Sequence, residues 1–145
     1  MSWLLDTCVL SEPVQRNPSA RVLAWLDQQE DEMLHVSVLA LGEIRQGAAR
    51  LPPGPRRRRL EQWLDRDLRT RFSGRILAVD GPVADRWGRL QAETEAKGRP
   101  MPSIDGLIAA TALAHGLRVV TRNVDDFAAS AVEIFNPWSA EYPAT

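Results

Sequence analysis

Five short apolar runs, separated by stretches of helical periodicity, constrain this chain more than any other feature. Trp3-Leu4-Leu5, Leu34-His35-Val36, the run from Arg75 to Asp80, Leu117 to Thr121, and Val132 to Phe135 each have the length of a buried strand. Strands that alternate with helical patterns predict an α/β fold with a central, mostly parallel sheet flanked by helices. At 145 residues the chain holds a single core. We expect one domain over 1–138 and a C-terminal tail over 139–145. There is no internal repeat and no linker composition.

The helical segments are bounded by capping signals. Ser19 is placed to cap a helix running to about Glu30, and Ser37 to cap one in which Val38, Leu41, Ile44, Ala48 and Leu51 recur. Pro52, Pro53 and Pro55 close that helix. A long basic helix follows, with Leu60, Trp63, Leu64 and Leu68 inward and Gly74 at its end. The next starts at Pro82, and the last carries a stripe from Ile104 to His115, terminated by Gly116. Trp25, Trp63 and Trp87 read as core or dimer contacts, and His115 as structural.

Composition removes several function classes. Cys8 is alone, and His35 and His115 are the only histidines, so neither a disulfide nor a Cys/His zinc site can form within the chain. Neither G-x-G-x-x-G nor G-x-x-x-x-G-K-[ST] occurs, which leaves dinucleotide and P-loop sites without support. No apolar run approaches the roughly 20 residues of a membrane span, and no signal-peptide pattern opens the chain, so a soluble, cytoplasmic protein is expected. The net charge is only −1, but ten Arg between Arg45 and Arg75 face just Glu61, Asp65 and Asp67. A basic surface therefore coexists with an acidic one.

In parallel α/β sheets, ligands gather at the carboxyl ends of strands, where the strand order reverses. Asp6 closes the first strand, Asp105 lies in the first turn of a helix, Glu43 sits on a helix beside Gly42 and Gly47, and Asp125 and Asp126 follow the fourth strand. If these acids share a cleft, each close pair repels by roughly 4 kcal/mol at 4 Å and an effective dielectric near 20. Such a cluster needs a cation, and oxygen ligands without His or Cys favour Mg²⁺ or Mn²⁺. Each acid also has a plain alternative: Asp105 as partner of a helix dipole, Glu43 as a solvated helix residue, Asp126 as a turn residue.

Four segments carry a resemblance that covers nearly the whole chain. They are Leu4-Leu5-Asp6-Thr7-Cys8-Val9-Leu10-Ser11-Glu12, Ser37 to Gly47 with Glu43 at its centre, Ile104-Asp105-Gly106-Leu107-Ile108-Ala109-Ala110-Thr111-Ala112, and Thr121-Arg122-Asn123-Val124-Asp125-Asp126-Phe127. In this order and spacing they resemble PIN-domain toxins of the VapC type. The FitB-like branch is nearest, its chains also ending in the pattern seen here as Phe135-Asn136-Pro137-Trp138. The resemblance implies a Mg²⁺- or Mn²⁺-dependent ribonuclease of a toxin–antitoxin pair, a homodimer, inhibited by a VapB/FitA-like antitoxin that also carries it to operator DNA.

Residue by residue, it implies that Asp6 and Asp105 bind metal and that Glu43 binds it or orients the water. The family's fourth acidic position falls on Asn123, a departure from the pattern that leaves Asn123 or Asp126 to fill it. Thr7, Ser37, Ser103 and Thr121 lie beside these acids and are candidates to hold carboxylates or waters by hydrogen bonds. Arg56, Arg57, Arg58 and Arg59 are candidate RNA contacts, since phosphate binding is mostly charge. Part of that charge is self-neutralised if Asp65 pairs with Arg69 and Asp67 with Arg71. The competing functions are a catalytically weak binding module acting through an antitoxin and operator DNA, and a small-phosphoester hydrolase on the same acids.

Overall fold

The computed structural model describes residues 1–139. Five strands form one sheet: β1 (Trp3–Leu5), β2 (Leu34–Ser37), β3 (Ile76–Leu77), β4 (Arg118–Val120) and β5 (Ile134–Phe135), in the order β3-β2-β1-β4-β5. Every pairing is parallel, so the sheet is wholly rather than mostly parallel. The chain starts in the middle, builds outward to β3, then returns to the other side of β1 with β4. The order therefore reverses between β1 and β4, and the crevice beyond their carboxyl ends is the switch point where such sheets bind ligands.

Side-chain alternation along β1 sorts two cores. Trp3 and Leu5 join Leu34, Val36 and Val120 on one face, under α1 (Thr7–Leu10), α2 (Ala20–Gln28) and α3 (Val38–Arg50). Leu4 joins Val119 on the other face, under α6 (Gly81–Ala96), α7 (Ser103–His115) and α8 (Val124–Phe127). Trp25 belongs to the first core, packed edge-on to Trp3 at a centroid distance of 5.2 Å.

The caps act as the sequence predicts. Ser19 accepts from the Val22 N–H and Ser37 from the Leu39 N–H, and Gly116 takes a left-handed φ of 67° to end α7. Other expectations change. The basic helix is three pieces, α4 (Pro55–Gln62), a π-helical stretch Trp63–Leu68, and α5 (Arg69–Arg71). Across it Asp65 keeps Arg69 at 3.9 Å, whereas Arg71 reaches out to Asp31 at 3.2 Å instead of pairing with Asp67. His115 is exposed, not structural, and Ile104 is 41% exposed. Packed between sheet and α6, α7 buries Gly106 and Ile108 to Ala112 instead. Of the expected tail, 140–145 lies outside the described residues.

Candidate active site

Asp6 is the first residue past β1. Its backbone N–H still pairs with the Val120 carbonyl at 2.9 Å, which fixes it against β4, and its side chain caps α1. One carboxylate oxygen accepts from the Thr7 N–H at 2.9 Å and the other from the Thr121 hydroxyl at 2.7 Å. The Thr121 hydroxyl in turn accepts from the Asn123 N–H at 3.0 Å, so the exit of β4 is tied to the end of β1. Asp6 is 4% exposed. Burial pushes its carboxyl pKa up, the bonds from Thr121, Thr7 and Cys8 pull against that rise, and the charge of Asp126 adds to it.

Thr7 links this carboxylate to a second one. Its N–H serves Asp6 while its hydroxyl donates to Glu43 Oε1 at 2.6 Å, bringing α3 alongside α1. Gly47, one turn beyond Glu43, has open space where a Cβ would stand. Asp105, half-buried in the first turn of α7, is pushed up to about 6, first by burial and then by the charges of Asp6, Asp126 and Glu43. The charges of three acids from three other places in the fold thus reach Asp105 at the switch point, and Asp126 is the one beyond β4 whose charge reaches both Asp6 and Asp105. Asn123 is exposed and meets the cluster through its backbone N–H on Thr121.

Of the other sequence candidates, Ser37 is buried and spends its hydroxyl on the α3 cap, and Ser103 is exposed at the start of α7. Cys8 Sγ sits 3.8 Å from Asp6 Oδ2; burial and then the Asp6 charge push its thiol up, which makes it a poor nucleophile. A groove of about 790 Å³ opens beside the cluster, lined by Thr7, Glu43, Arg16, Arg56, Arg59 and Trp63 among others. Arg57 instead ion-pairs with Glu61 at 3.6 Å and donates to the Leu51 carbonyl, and Arg58 is exposed outside the groove lining.

Against known proteins, residues 3–132 match the family model for the PIN domain. The chain belongs to the PIN domain family. It is 40% identical over 135 residues to toxin FitB of Neisseria gonorrhoeae, covering 93% of this chain and 97% of that protein. It is 38% identical to the VapC ribonuclease Y4jK of Sinorhizobium fredii, covering 93% of this chain and 96% of the relative. Among solved structures, FitAB bound to the IR36 DNA fragment superposes with a TM-score of 0.91 at 38% identity, covering 97% of this chain and 98% of that one.

Within this PIN fold the donor set is entirely oxygen, which suits a hard divalent cation. Among the described residues no three Asp, Glu, His or Cys side chains close into a ready-made cage. The acids fit an ion that keeps several waters and is held through one or two carboxylates, as Mg²⁺ is. Burial first, and then the neighbouring negative charges, disfavour the ionised Asp105 carboxyl.

Sequence reasoning passed over Glu12 and Arg16. Glu12 is buried, accepts from the Ser19 N–H at 3.1 Å and faces Arg122 at 3.8 Å, clasping the end of α1 to the segment after β4. The two partners are 110 positions apart, and no spacing rule joins them. Arg16 sits in the irregular stretch before α2, where periodicity carries no information.

Proposed function

We propose that this PIN protein is the toxin of a type II toxin–antitoxin pair, an endoribonuclease that hydrolyses RNA phosphodiesters with Mg²⁺ or Mn²⁺. The observation that carries the reading is the convergence of Asp6, Glu43, Asp105 and Asp126 beyond β1 and β4: Thr7 bridges Asp6 and Glu43 by hydrogen bonds, and the charges of Asp6, Asp126 and Glu43 all reach Asp105. Relatives named as a toxin and as a VapC ribonuclease, similar over more than nine-tenths of the chain, supply the reaction class.

Asp6 and Asp105 are the residues that would hold the cation, and Asp126 takes the fourth acidic place left open by Asn123. A cation bound there supplies charge neutralisation at the scissile phosphate and a more acidic water. Thr121 and the Thr7 N–H keep Asp6 in one rotamer, so it meets its ligand without reorganising. Glu43, held through the Thr7 hydroxyl, orients the attacking water and takes up its proton. Ser37 caps α3, the helix that presents Glu43.

A VapB/FitA-like antitoxin inhibits the enzyme, the pair binds operator DNA, and the toxin works in the cytoplasm as a homodimer. The DNA-bound FitAB neighbour supports the antitoxin and operator part of this reading. No helix among the described residues is long and apolar enough to cross a membrane.

The test is cleavage of total and structured RNA by the purified chain, with and without Mn²⁺ or Mg²⁺, beside Asp6→Ala and Asp105→Ala. Cation-dependent cuts lost in both variants are expected. Equal inertness of all three proteins, with cation binding verified in the wild type, would favour the weak binding module.

A further inference from the structure

At the edge of the acid cluster, Arg122 is the middle residue of the turn that leaves β4. On one side of it stands Thr121, whose hydroxyl donates to Asp6 at 2.7 Å, and on the other Asn123, whose N–H donates to that same hydroxyl at 3.0 Å. The turn also opens α8: the Val124 N–H bonds to the Arg122 carbonyl at 3.0 Å and the Asp126 N–H to the Asn123 carbonyl at 3.1 Å. Whatever fixes Arg122 therefore fixes the support of Asp6 and the place of Asp126 together.

Its side chain is held from two directions. The guanidinium carbon lies 4.1 Å from the centroid of the Trp138 ring, a cation–π contact, and the guanidinium faces Glu12 Oε1 at 3.8 Å. Both partners are themselves anchored. Glu12 is buried and its other oxygen accepts from the Ser19 N–H at 3.1 Å, at the start of α2. Trp138 packs against the first core, and its N–H bonds to Asn136 Oδ1 at 2.9 Å. The Arg122 backbone adds a third tie, its N–H donating to Cys8 Sγ at 3.5 Å. An ion pair of that length contributes little by itself. A planar guanidinium between a buried carboxylate and an indole face is a more specific arrangement, one that an ammonium does not reproduce.

Charge alone gives Arg122 the wrong sign for this place. Its positive field reaches Cys8, whose Sγ is 3.8 Å from Asp6 Oδ2, so it opposes the arrival of a divalent cation. We propose that Arg122 is a positioning residue of the cation site: clamped between Glu12 and Trp138, it pins the turn after β4, so that Thr121 holds Asp6 and α8 presents Asp126. The proposal rests on the reading of these acids as a cation site and adds to it the residues that set its geometry. It also gives a role to the segment past β5, because Trp138 supplies one face of the clamp.

The experiment is calorimetric titration of Mn²⁺ into the wild type, Arg122→Met, Arg122→Lys, Glu12→Gln and the double variant Glu12→Gln with Arg122→Met, joined to amide hydrogen exchange of the same proteins in EDTA. Arg122→Met weakens Mn²⁺ binding by about tenfold, as loss of a supporting contact does at metal sites, although its lost charge would by itself tighten binding. Arg122→Lys keeps the charge and falls between the two. Glu12→Gln weakens binding as well, and the double variant is no weaker than Arg122→Met, since both changes act through one clamp. In EDTA the Asn123 and Asp126 amides exchange several-fold faster in Arg122→Met, while the Val119 N–H, bonded to the Glu133 carbonyl inside the sheet, keeps its wild-type rate.

Mn²⁺ binding by Arg122→Met as tight as the wild type, or tighter, would overturn the proposal and leave Arg122 a surface charge. So would wild-type behaviour of Arg122→Lys, which would leave the Trp138 contact without a role, or additive losses in the double variant. Faster exchange at Val119 as well would overturn it too, since the variant would then have loosened the whole sheet. The cation reading fails in a different way. A wild type without saturable Mn²⁺ binding removes that reading, and exchange in Arg122→Met then decides the clamp: faster Asn123 and Asp126 amides keep it, and unchanged ones remove it.

Discussion

Asp105 offers a test of the coupled-carboxylate account through stability rather than activity. Its carboxyl is raised from 3.8 to about 6, by burial first and by Asp6, Asp126 and Glu43 after it. An acid whose folded pKa is raised binds its proton more tightly folded than unfolded. Its contribution to stability is full below the unfolded value and is lost as pH rises through the folded one, a window from about pH 4 to about pH 6. A rise of this size corresponds to about 3 kcal/mol, and since Asp105 is only half-buried, solvent screening brings it to about 1–2 kcal/mol. Asp105→Asn keeps the shape and removes the charge.

The variant is therefore expected to stabilise the cation-free protein by about 1–2 kcal/mol near pH 7.5 and by almost nothing near pH 4. For a domain of this size that is a Tm increase of about 3–6 °C. Urea and thermal unfolding in EDTA across the pH range measure it. Saturating Mn²⁺ should shrink or reverse the difference, because a ligand that binds the folded wild type more tightly than the variant stabilises it more. A variant less stable than the wild type near pH 7.5, or a difference independent of pH, would show that these acids do not share a field.

Two further substitutions probe how the site is held. Thr121→Val removes the hydroxyl that donates to Asp6 and accepts from the Asn123 N–H without opening a cavity; urea unfolding at neutral pH should show a loss of about 1–3 kcal/mol. The same variant should push the Asp6 pKa further up, since a bond favouring the ionised form is gone, and carboxyl NMR titration reads this directly. Gly106→Ala places a Cβ 2.6 Å from Gln91 Oε1 and 3.2 Å from Trp87 Nε1, beside Asp105. It should cost about 1–3 kcal/mol, and Gln91→Ala in the same chain should recover much of that loss, a coupling that a double-mutant cycle measures.

The fold was legible wherever period and punctuation agreed. The buried strand Trp3-Leu4-Leu5, the serine caps at Ser19 and Ser37, and the glycine stop at Gly116 are local properties of the chain, and each reappears in three dimensions. The π stretch over Trp63–Leu68 was not legible, because Leu60, Leu64 and Leu68 stand four apart and fit an ordinary helix as well. The inward stripe of α7 was misplaced for a related reason. A helix covered on two sides buries small residues such as Gly106 and Ala110, which amphipathic reasoning does not weigh.

At the candidate site, Asp6 announced itself as an acid ending an apolar strand. What joins it to Thr121, 115 positions away, is the parallel pairing of β1 with β4, which no local pattern encodes. That the Asp126 charge reaches Asp6 and Asp105 is likewise a product of the fold, not of any local pattern. The basic run was visible, but only three-dimensional placement separates Arg56 and Arg59, in the groove, from Arg57, engaged with Glu61.

The most direct measurement of the central claim is calorimetric titration of Mn²⁺ into the wild type and into Asp6→Asn, Asp105→Asn and Asp126→Asn at about pH 6. The account predicts saturable binding by the wild type with release of protons, because Asp105 is partly protonated there. It also predicts an affinity loss of about tenfold or more, about 1.4 kcal/mol, in each variant. Binding of equal strength in all four proteins, or binding without proton release, would contradict the claim that these carboxylates form one cation site.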